Sequence, residues 1–316
     1  MLSRVADSIY WLNRYVERAE NVARFVEVNL TLLLDTTTTT NYWQALITTT
    51  GDSALFRESY GEATSENVLQ FLTFDQNYPS SIVSCLKRAR ENAHAVRANI
   101  SSEMWEQLNE LYHTVQRAAS QPMTLEERYQ FYPAIRMGSH LFAGIMEATM
   151  SHNEGWHFGQ LGRLLERADK TARILDVKYF ILLPSLQDVG SPLDNLQWIA
   201  LLKSASAYEM YRKRQHRITP ENVAAFLILD AQFPRSICFS LLEAQKSLHC
   251  IAGTPVGSWS CCSERSLGRL CSALDYMTMD EIFDQGLHEF LDDLQSKLNR
   301  VGQDIYEDFI AVPLAV

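Results

Sequence analysis

The sequence lacks long apolar runs and contains little glycine. Its longest apolar stretches, such as Tyr179 to Pro184, are far too short to span a bilayer, which takes about 20 residues. The first residues, Met1 to Trp11, contain acidic Asp7 and no apolar core of a signal peptide. Glycine contributes 13 of 316 residues, and few segments alternate cleanly between apolar and polar residues. We therefore predict no membrane association, a cytoplasmic location and an all-α fold.

The sequence also lacks the residue spacings that hold metals or nucleotides. Its six cysteines include no Cys-x-x-Cys pair, and no closely spaced histidine set completes a zinc site. The adjacent Cys261 and Cys262 are expected to be reduced thiols. The sequence contains no phosphate-binding loop, nucleophile elbow or dinucleotide fingerprint. These absences predict that the chain binds no metal and no cofactor of its own.

Basic residues are fewer than acidic ones. Lysine and arginine number 28 against 38 aspartates and glutamates, which gives a formal net charge of -10. The overall field of such a chain repels phosphate backbones and anionic membranes. We therefore expect no nucleic-acid partner.

Helix-forming patterns account for most of the sequence. The segment Leu2 to Leu34 contains neither proline nor glycine, and its apolar residues recur at intervals of three and four. Thr124 and Thr278 each begin a capping-box pattern, and Thr219 is followed by a proline suited to the first helical position. Three short polar or proline-containing segments are predicted as loops: Asp35 to Asn41, Pro184 to Pro192 and Gly253 to Ser260.

The chain repeats itself at a period of about 150 residues. Residues 14–24 match residues 163–173 at six of 11 positions, and both segments contain Arg-x-x-Glu-Arg-Ala. Residues 66–82 match residues 221–237 at nine of 17 positions. We infer an internal duplication.

A period of this length is too long for a solenoid repeat. Two copies of a helical unit are expected to pack about an approximate two-fold axis, as the subunits of a homodimer do. The sequence thus predicts one compact all-α domain over residues 1–316. We expect a helical bundle of two tandem, pseudo-two-fold-related halves, near 1–150 and 151–316.

The first copy of the motif places polar side chains on an apolar side of its helix. At about 100° per residue, three of them share a direction with Tyr10 and Phe25. These three are Arg14, Arg18 and Asn21. A guanidinium in apolar surroundings needs partners, and its planar fork suits carboxylates. The arginines are therefore expected to be paired or to bind a ligand.

The second copy repeats this placement with Arg163, Arg167 and Lys170. Arg24 and Arg173 differ, because each follows an acidic residue by four positions. Such a spacing predicts an ordinary ion pair on the helix surface.

Two interpretations of Arg14, Glu17 and Arg18 are open. In the first, these residues form a buried ion-pair network that joins the two halves. In the second, the two motifs converge near the pseudo-axis and bind an anion such as phosphate, a carboxylate or a peptide terminus. The duplication does not choose between them, because symmetry preserves a packing interface as readily as a site.

A basic patch at Arg88, Arg90 and Arg97 has no equivalent in the second half. This asymmetry suggests a specialised role, although a solvated helix face is the simpler explanation. The repeated prolines Pro79 and Pro234 are expected to start helices, with a nearby serine as the cap.

At these residues the chain resembles the Alpha-E (DUF403) family of bacterial helical proteins, named for a Glu-Arg motif. The resemblance covers essentially the whole chain. The segments that carry it are Leu2-Ser3-Arg4, Tyr10-Trp11-Leu12, Arg14, Glu17-Arg18-Ala19-Glu20, Arg24, Arg90-Glu91-Asn92, Ser102-Glu103-Met104-Trp105, Asn109, Gly155-Trp156, Glu166-Arg167-Ala168-Asp169 and Phe233-Pro234-Arg235-Ser236. The second copy has Gln160 and Gly162 where the first has Trp11 and Asn13, so the two copies need not act alike.

Members of this family are typically encoded beside, or fused to, circularly permuted ATP-grasp ligases, often together with transglutaminase-like proteases. The resemblance implies a partner protein in ATP-dependent amide-bond formation, with nucleotide and metal supplied by the ligase. The paired motifs would hold an anionic peptide or intermediate, or dock the ligase, with Glu17 and Glu166 orienting the arginines. The candidate ligand-binding residues are Arg14, Arg18, Asn21, Arg163, Arg167, Arg88, Arg90 and Arg97.

Two alternatives belong to other classes of protein. A stand-alone enzyme would use Glu17 or Glu166 as a catalytic general acid or base beside an arginine-bound substrate. A structural scaffold would bind no ligand and would form a homo-oligomer through a large apolar interface.

Overall fold

The computed structural model describes residues 1–34, 40–121, 123–180 and 191–311. In these residues the chain forms 15 α-helices and a π-helical turn at Tyr306–Ile310, and it forms no strand. The predicted all-α class is confirmed. None of the described helices is long and apolar enough to cross a membrane.

The helices are numbered in chain order. Those of the first half are α1 (Ser3–Leu34), α2 (Thr40–Thr50), α3 (Ser53–Tyr60), α4 (Ser65–Thr73), α5 (Ile82–Ala95), α6 (Ser102–Ala119) and α7 (Leu125–Thr149). Those of the second half are α8 (Glu154–Phe180), α9 (Pro192–Ser204), α10 (Tyr208–Arg214), α11 (Pro220–Ile228), α12 (Ile237–Ala252), α13 (Cys262–Asp275), α14 (Met279–Gln285) and α15 (Leu287–Ile305).

The predicted helix caps are confirmed. Thr124 accepts a hydrogen bond from the backbone N–H of Glu127, whose side chain in turn accepts from the backbone of Thr124. Thr278 and Glu281 form the same capping box at α14, and Thr219 caps α11. These caps satisfy N–H groups that a helix start leaves without intrahelical acceptors. Because the partners are three residues apart, the local sequence was sufficient to predict them.

The helices expected to start at the repeated prolines begin three residues later. Pro79 lies in a turn, and α5 starts at Ile82, because the Ser81 hydroxyl accepts from the N–H of Ser84 and caps the helix there. The same displacement separates Pro234 from the start of α12. The expectation of a serine cap is thus confirmed, and the expectation of a helix start at proline is wrong.

The predicted loops had mixed outcomes. The segment Gly253 to Ser260 is confirmed as a loop between α12 and α13. Most of the other two, 35–41 and 184–192, lies outside the described residues. Their last residues, however, already belong to helices, because α2 begins at Thr40 and α9 at Pro192.

Helices α1 and α8 pack against each other and run in the same direction. The N-terminal ammonium of Met1 lies 2.7 Å from Glu154, and further along Arg18 lies 2.6 Å from Glu166. Between these pairs, a Cβ added to Gly162 would lie only 2.3 Å from the carbonyl oxygen of Tyr10. A glycine is therefore required at this point for the two backbones to approach so closely.

The two central helices are covered by helices from both halves. Helices α5 and α7 pack on α1, and α12 and α15 pack on α8. In addition, α2 packs on α8 and α9 packs on α1. Buried apolar residues form two clusters, one from residues 6–158 and one from Tyr10 together with residues 161–305. The pseudo-two-fold relation of the halves and their union in one domain remain predictions.

Candidate functional site

The two Glu-Arg motifs meet where α1 packs on α8, and each supplies a carboxylate to the other. Arg18 donates to Glu166 from Nε at 2.6 Å and from Nη2 at 2.9 Å. Arg167 donates to Glu17 from the same two nitrogens at 2.8 and 3.0 Å. Two-pronged pairs of this kind are the stronger and more directional ion pairs. They join residues about 150 positions apart in the sequence.

Glu166 is fully buried and surrounded by cations. Besides Arg18, it accepts a hydrogen bond from Arg14 Nε at 2.9 Å, and Lys170 Nζ lies 3.6 Å away. Burial alone would raise the pKa of Glu166, but Arg18, Lys170 and Arg14 together hold it well below its usual range. The ion pairs around Glu166 therefore form a closed structural network.

Glu17 belongs to a wider network of ion pairs and hydrogen bonds that includes Arg235, in the turn before α12. It accepts from Arg235 Nη1 at 3.3 Å and from Asn21 Nδ2 at 3.3 Å, in addition to Arg167. Arg235 also donates to Glu20 at 3.0 Å. Burial opposes ionisation, but Arg167 and Arg235 outweigh it and lower the pKa of Glu17 to about 2. Both motif glutamates are thus ionised at neutral pH.

Arg24 is not the surface residue that its spacing predicted. It does pair with Glu20, four residues earlier, but it is only 2% exposed. Its Nε donates to the carbonyl oxygen of Ser204, 2.5 Å away at the end of α9. The prediction failed because periodicity within α1 does not show that α9 covers this face. Arg173 pairs with Asp169 at 3.0 Å as predicted and stays closer to the surface.

The two motifs differ most at their first arginine. Whereas Arg14 reaches Glu166, Arg163 has no carboxylate within ion-pairing distance in the part of the chain that the structure describes. Its Nη2 donates to Gln160, and its Nε is buried with no hydrogen-bond partner among the described residues. Burial and the neighbouring Arg167 lower the pKa of Arg163 to about 10, so the guanidinium is still charged at neutral pH.

The residues next to each arginine explain this difference. The guanidinium of Arg14 lies 4.9 Å from the ring of Trp11 and donates to the Tyr10 hydroxyl at 3.1 Å. At the matching positions the second copy has Gln160 and Gly159. The second copy therefore has no aromatic rings at these positions to cover Arg163.

A cavity of about 390 Å³ lies beside Arg163. Glu20, which is 1% exposed, is one of the residues that line it, and its carboxylate oxygen Oε2 has no hydrogen-bond partner among the described residues. Burial opposes ionisation of Glu20, but Arg235 and Arg24 keep its pKa well below the usual range. The residues lining the cavity come from α1, α7 and α8: Asn13, Val16, Glu17, Glu20, Ser139, His140, Phe142, Ala143, Gly144, Glu147, Arg163 and Arg167.

The predicted basic patch is divided in the structure. Arg88 lies over the ring of Tyr15 at 5.8 Å, and Arg18 lies near the same ring at 5.7 Å. The structure thus brings Arg88 close to the first motif, on the side of Glu166 rather than that of the cavity.

Arg90 and Arg97 lie apart from the motifs, around Trp105. Their guanidinium carbons are 5.4 and 5.6 Å from its ring, and Arg90 donates to Asn109 at 2.7 Å. Packing of a guanidinium on an indole is a common structural contact. Both guanidinium groups thus pack on an indole of α6.

Sequence reasoning did not assign two residues of the network. Arg235 stands where the first half has Ser80, so a comparison of the two copies could have singled it out. His140 on α7 lies 3.0 Å from Glu20 and 3.3 Å from Arg235. Nothing in the local sequence marks His140, because its position depends on the packing of α7 against α1.

The chemistry of this arrangement is charge pairing. The low pKa values of Glu17 and Glu166 make them poor proton carriers at neutral pH, because a general acid or base works best with a pKa near the working pH. Within the described ranges, no group of three or more histidine, cysteine or acidic side chains is placed to hold a metal ion. A half-buried arginine that lines a cavity and has no carboxylate partner among the described residues, as Arg163 does, is suited to bind an anion.

The fold and the site define a class of helical protein in which Glu–Arg ion pairs join the two central helices. The chain belongs to the Alpha-E family. Residues 1–310 match this family, which is described as a predicted alpha-helical domain with a conserved ER motif. The resemblance noted from the sequence is thereby confirmed.

The chain is also similar to two mycobacterial proteins. They are uncharacterized protein Mb2597 of Mycobacterium bovis and uncharacterized protein Rv2567 of Mycobacterium tuberculosis, each 24% identical over 337 residues. The alignments cover 99% of this chain but 37% of each relative, so the chain spans little more than a third of the length of these curated relatives. No solved structure gives a significant match.

Proposed function

We propose that this chain is the partner of an ATP-grasp-type peptide (amide) ligase, and that its second Glu-Arg motif binds an anionic group of the peptide or intermediate. Arg163 carries the proposal. It is a half-buried cation beside a cavity, with no carboxylate partner among the described residues, whereas its counterpart Arg14 is paired. In the first motif, the paired charges hold α1 against α8.

The charges around the cavity favour an anionic ligand. Three carboxylates line it, and four arginines either line it or pair with those carboxylates. The carboxylates are Glu17, Glu20 and Glu147, and the arginines are Arg24, Arg163, Arg167 and Arg235. The excess of one positive charge arises from Arg24 and Arg235, which pair with these carboxylates and are not among the residues that line the cavity, and it occurs in a chain whose net charge is -10.

The ligase is inferred from the family resemblance. A circularly permuted ATP-grasp ligase would supply the nucleotide and metal chemistry, and a transglutaminase-like protease is a further expected partner. The mycobacterial relatives contain sequence beyond the matched 37%, which leaves room for another domain in the same chain. In this proposal the helical chain holds the anionic group while the ligase activates and joins it.

The alternative of a stand-alone enzyme fits the site less well. Each motif glutamate accepts two hydrogen bonds from an arginine of the other motif, and both pKa values are lowered. A catalytic Glu17 or Glu166 would have to give up these pairs to exchange a proton near neutral pH. A purely structural scaffold, the third hypothesis, leaves the position of Arg163 beside a cavity without a reason.

The test combines the purified chain with a circularly permuted ATP-grasp ligase of the kind encoded beside members of this family. Association is followed by size-exclusion chromatography, and the amide product by mass spectrometry. We expect a complex and a change in the product formed, with Arg163→Met reducing that change while leaving the complex and the fold intact. Arg117→Met is the control, because the Arg117 side chain is 74% exposed on α6. Absence of both association and any effect on the product would contradict the proposal.

A further inference from the structure

Two residues of opposite charge that line the cavity, Glu20 and Arg163, each contain a buried polar atom without a hydrogen-bond partner among the described residues. Glu20 Oε2 is an acceptor and Arg163 Nε a donor. Buried polar atoms are almost always hydrogen-bonded in folded proteins. A simple anion would satisfy Arg163 and leave Glu20 without a further donor, and a simple cation would do the reverse.

Glu20 is held in place by its other carboxylate oxygen. Oε1 accepts from Arg235 at 3.0 Å, pairs with Arg24 and lies 3.0 Å from His140 Nε2. The side chain therefore cannot turn toward Arg163 without breaking these contacts. Oε2 is left as an acceptor of fixed position without a partner among the described residues.

Arg163 is held by a shorter chain of contacts. Its Nη2 donates to the Gln160 side chain, whose Nε2 in turn donates to Glu147 at 3.3 Å. Glu147 lines the same cavity, and its side chain is 56% exposed, so it stands on the solvent side. The donor and the acceptor are thus both positioned before any ligand arrives, which lowers the entropic cost of binding.

We infer that this cavity binds a small zwitterion of the α-amino-acid class, with the ligand carboxylate on Arg163 and the ligand ammonium on Glu20. The inference rests on the proposed function and names the chemical class of its ligand. The volume of about 390 Å³ is in the range of small-molecule sites, about 300–1,000 Å³. Val16, Phe142 and Ala143 supply apolar wall for the carbon part of the ligand.

The first motif offers no second site of this kind. There Arg14 already donates a hydrogen bond to Glu166, and Trp11 lies 4.9 Å from its guanidinium. The structure therefore assigns one amino-acid site to each chain, on the side of Arg163.

The experiment is isothermal titration calorimetry of the full chain, without ligase, against each proteinogenic amino acid. We expect at least one to bind with a stoichiometry of one per chain. Two analogues of that amino acid are then titrated, one lacking the amine and one lacking the carboxylate. Each analogue should bind at least about tenfold more weakly, since a hydrogen bond to a charged group contributes about 1.5–3 kcal/mol and 1.4 kcal/mol is tenfold.

Protein variants place the binding in the cavity. Arg163→Met should weaken binding at least about tenfold, and Arg117→Met should leave it unchanged. Thermal unfolding monitored by circular dichroism checks that both variants are folded. The analogue comparison tests the role of Glu20 without mutating it, which matters because its substitution would also disturb Arg24 and Arg235.

Three results would overturn the inference. They are no binding of any amino acid, equal binding of the analogue that lacks the amine, and full binding by a folded Arg163→Met chain. The second result would still leave an anion site, as the proposed function requires. Association with the ligase is measured separately, so loss of the amino-acid site and loss of the ligase partnership can be told apart.

Discussion

The carbonyl oxygen of Tyr10 occupies the space that a side chain of residue 162 would need. A Cβ added to Gly162 would lie 2.3 Å from this oxygen and 3.1 Å from the carbonyl carbon. Both atoms belong to the backbone of α1, so rotation of a side chain cannot relieve the contact. The spacing of α1 and α8, and with it the pairing of Arg18 with Glu166, depends on this glycine.

Gly162→Ala is therefore expected to destabilise the protein. Overpacking of a tight contact typically costs about 1–3 kcal/mol, and a backbone neighbour places the change at the upper end. Gly144→Ala is the matched control, because it lies within α7 and an added Cβ there meets no atom of the described residues within 4 Å. That change should be neutral or stabilise by up to about 1 kcal/mol, since alanine favours helix. Urea unfolding of both variants measures the difference, and equal stabilities would show that the α1–α8 contact tolerates a methyl group.

Arg18 of the first motif and Arg163 of the second should differ in their effect on stability. Arg18→Met removes a two-pronged partner of buried Glu166, and breaking such a pair costs about 3–5 kcal/mol. Because Arg14 and Lys170 stay beside Glu166, we expect the lower end, about 3 kcal/mol.

Arg163→Met should change the free energy of unfolding by less than about 1 kcal/mol, because no ion pair among the described residues is lost. Thermal and urea unfolding of the two variants provide the comparison. A loss for Arg163→Met as large as that for Arg18→Met would assign it to the structural network.

Acid should destabilise the protein through Glu17. Its pKa is lowered from 4.5 in the unfolded chain to about 2 in the folded one. The contribution to stability is complete above the unfolded value and is lost as the pH falls toward 2, because the unfolded state binds the proton first. The shift corresponds to about 3 kcal/mol.

Urea unfolding at a series of pH values between about 2 and 7 tests this prediction. Glu17→Gln should be less stable at pH 7 but should show a shallower fall below about pH 4.5, because it has no carboxylate to protonate at this position. An unchanged slope in the variant would show that other carboxylates account for the acid sensitivity.

The thiols should react in an order set by burial. Burial raises the pKa of Cys85 and of Cys271 to about 12, so almost no thiolate is present at neutral pH. Cys250 and Cys262 are exposed. Under native conditions iodoacetamide should label the exposed pair, and it should reach Cys85 and Cys271 only after unfolding. Mass spectrometry of the labelled peptides gives the order, and rapid native labelling of Cys85 would reveal opening of the core around α5.

The sequence by itself determined the all-α class, the family, the helix caps and the presence of two Glu-Arg motifs. It also predicted that Arg14 and Arg18 emerge among apolar residues, where they need partners. These properties depend on residues a few positions apart, such as Thr124 and Glu127, or on the periodicity of a single helix. Local patterns of this kind are visible without knowledge of the packing.

Only the tertiary structure decided which partner each charge meets. Arg18 pairs with a carboxylate 148 positions away, α9 buries Arg24, and α7 brings His140 to Glu20. The structure also showed that Arg163, unlike its counterpart in the first motif, is left facing a cavity. The physical reason is that ion pairing and burial depend on distances between different helices, and the periodicity within one helix does not specify what packs against each of its faces.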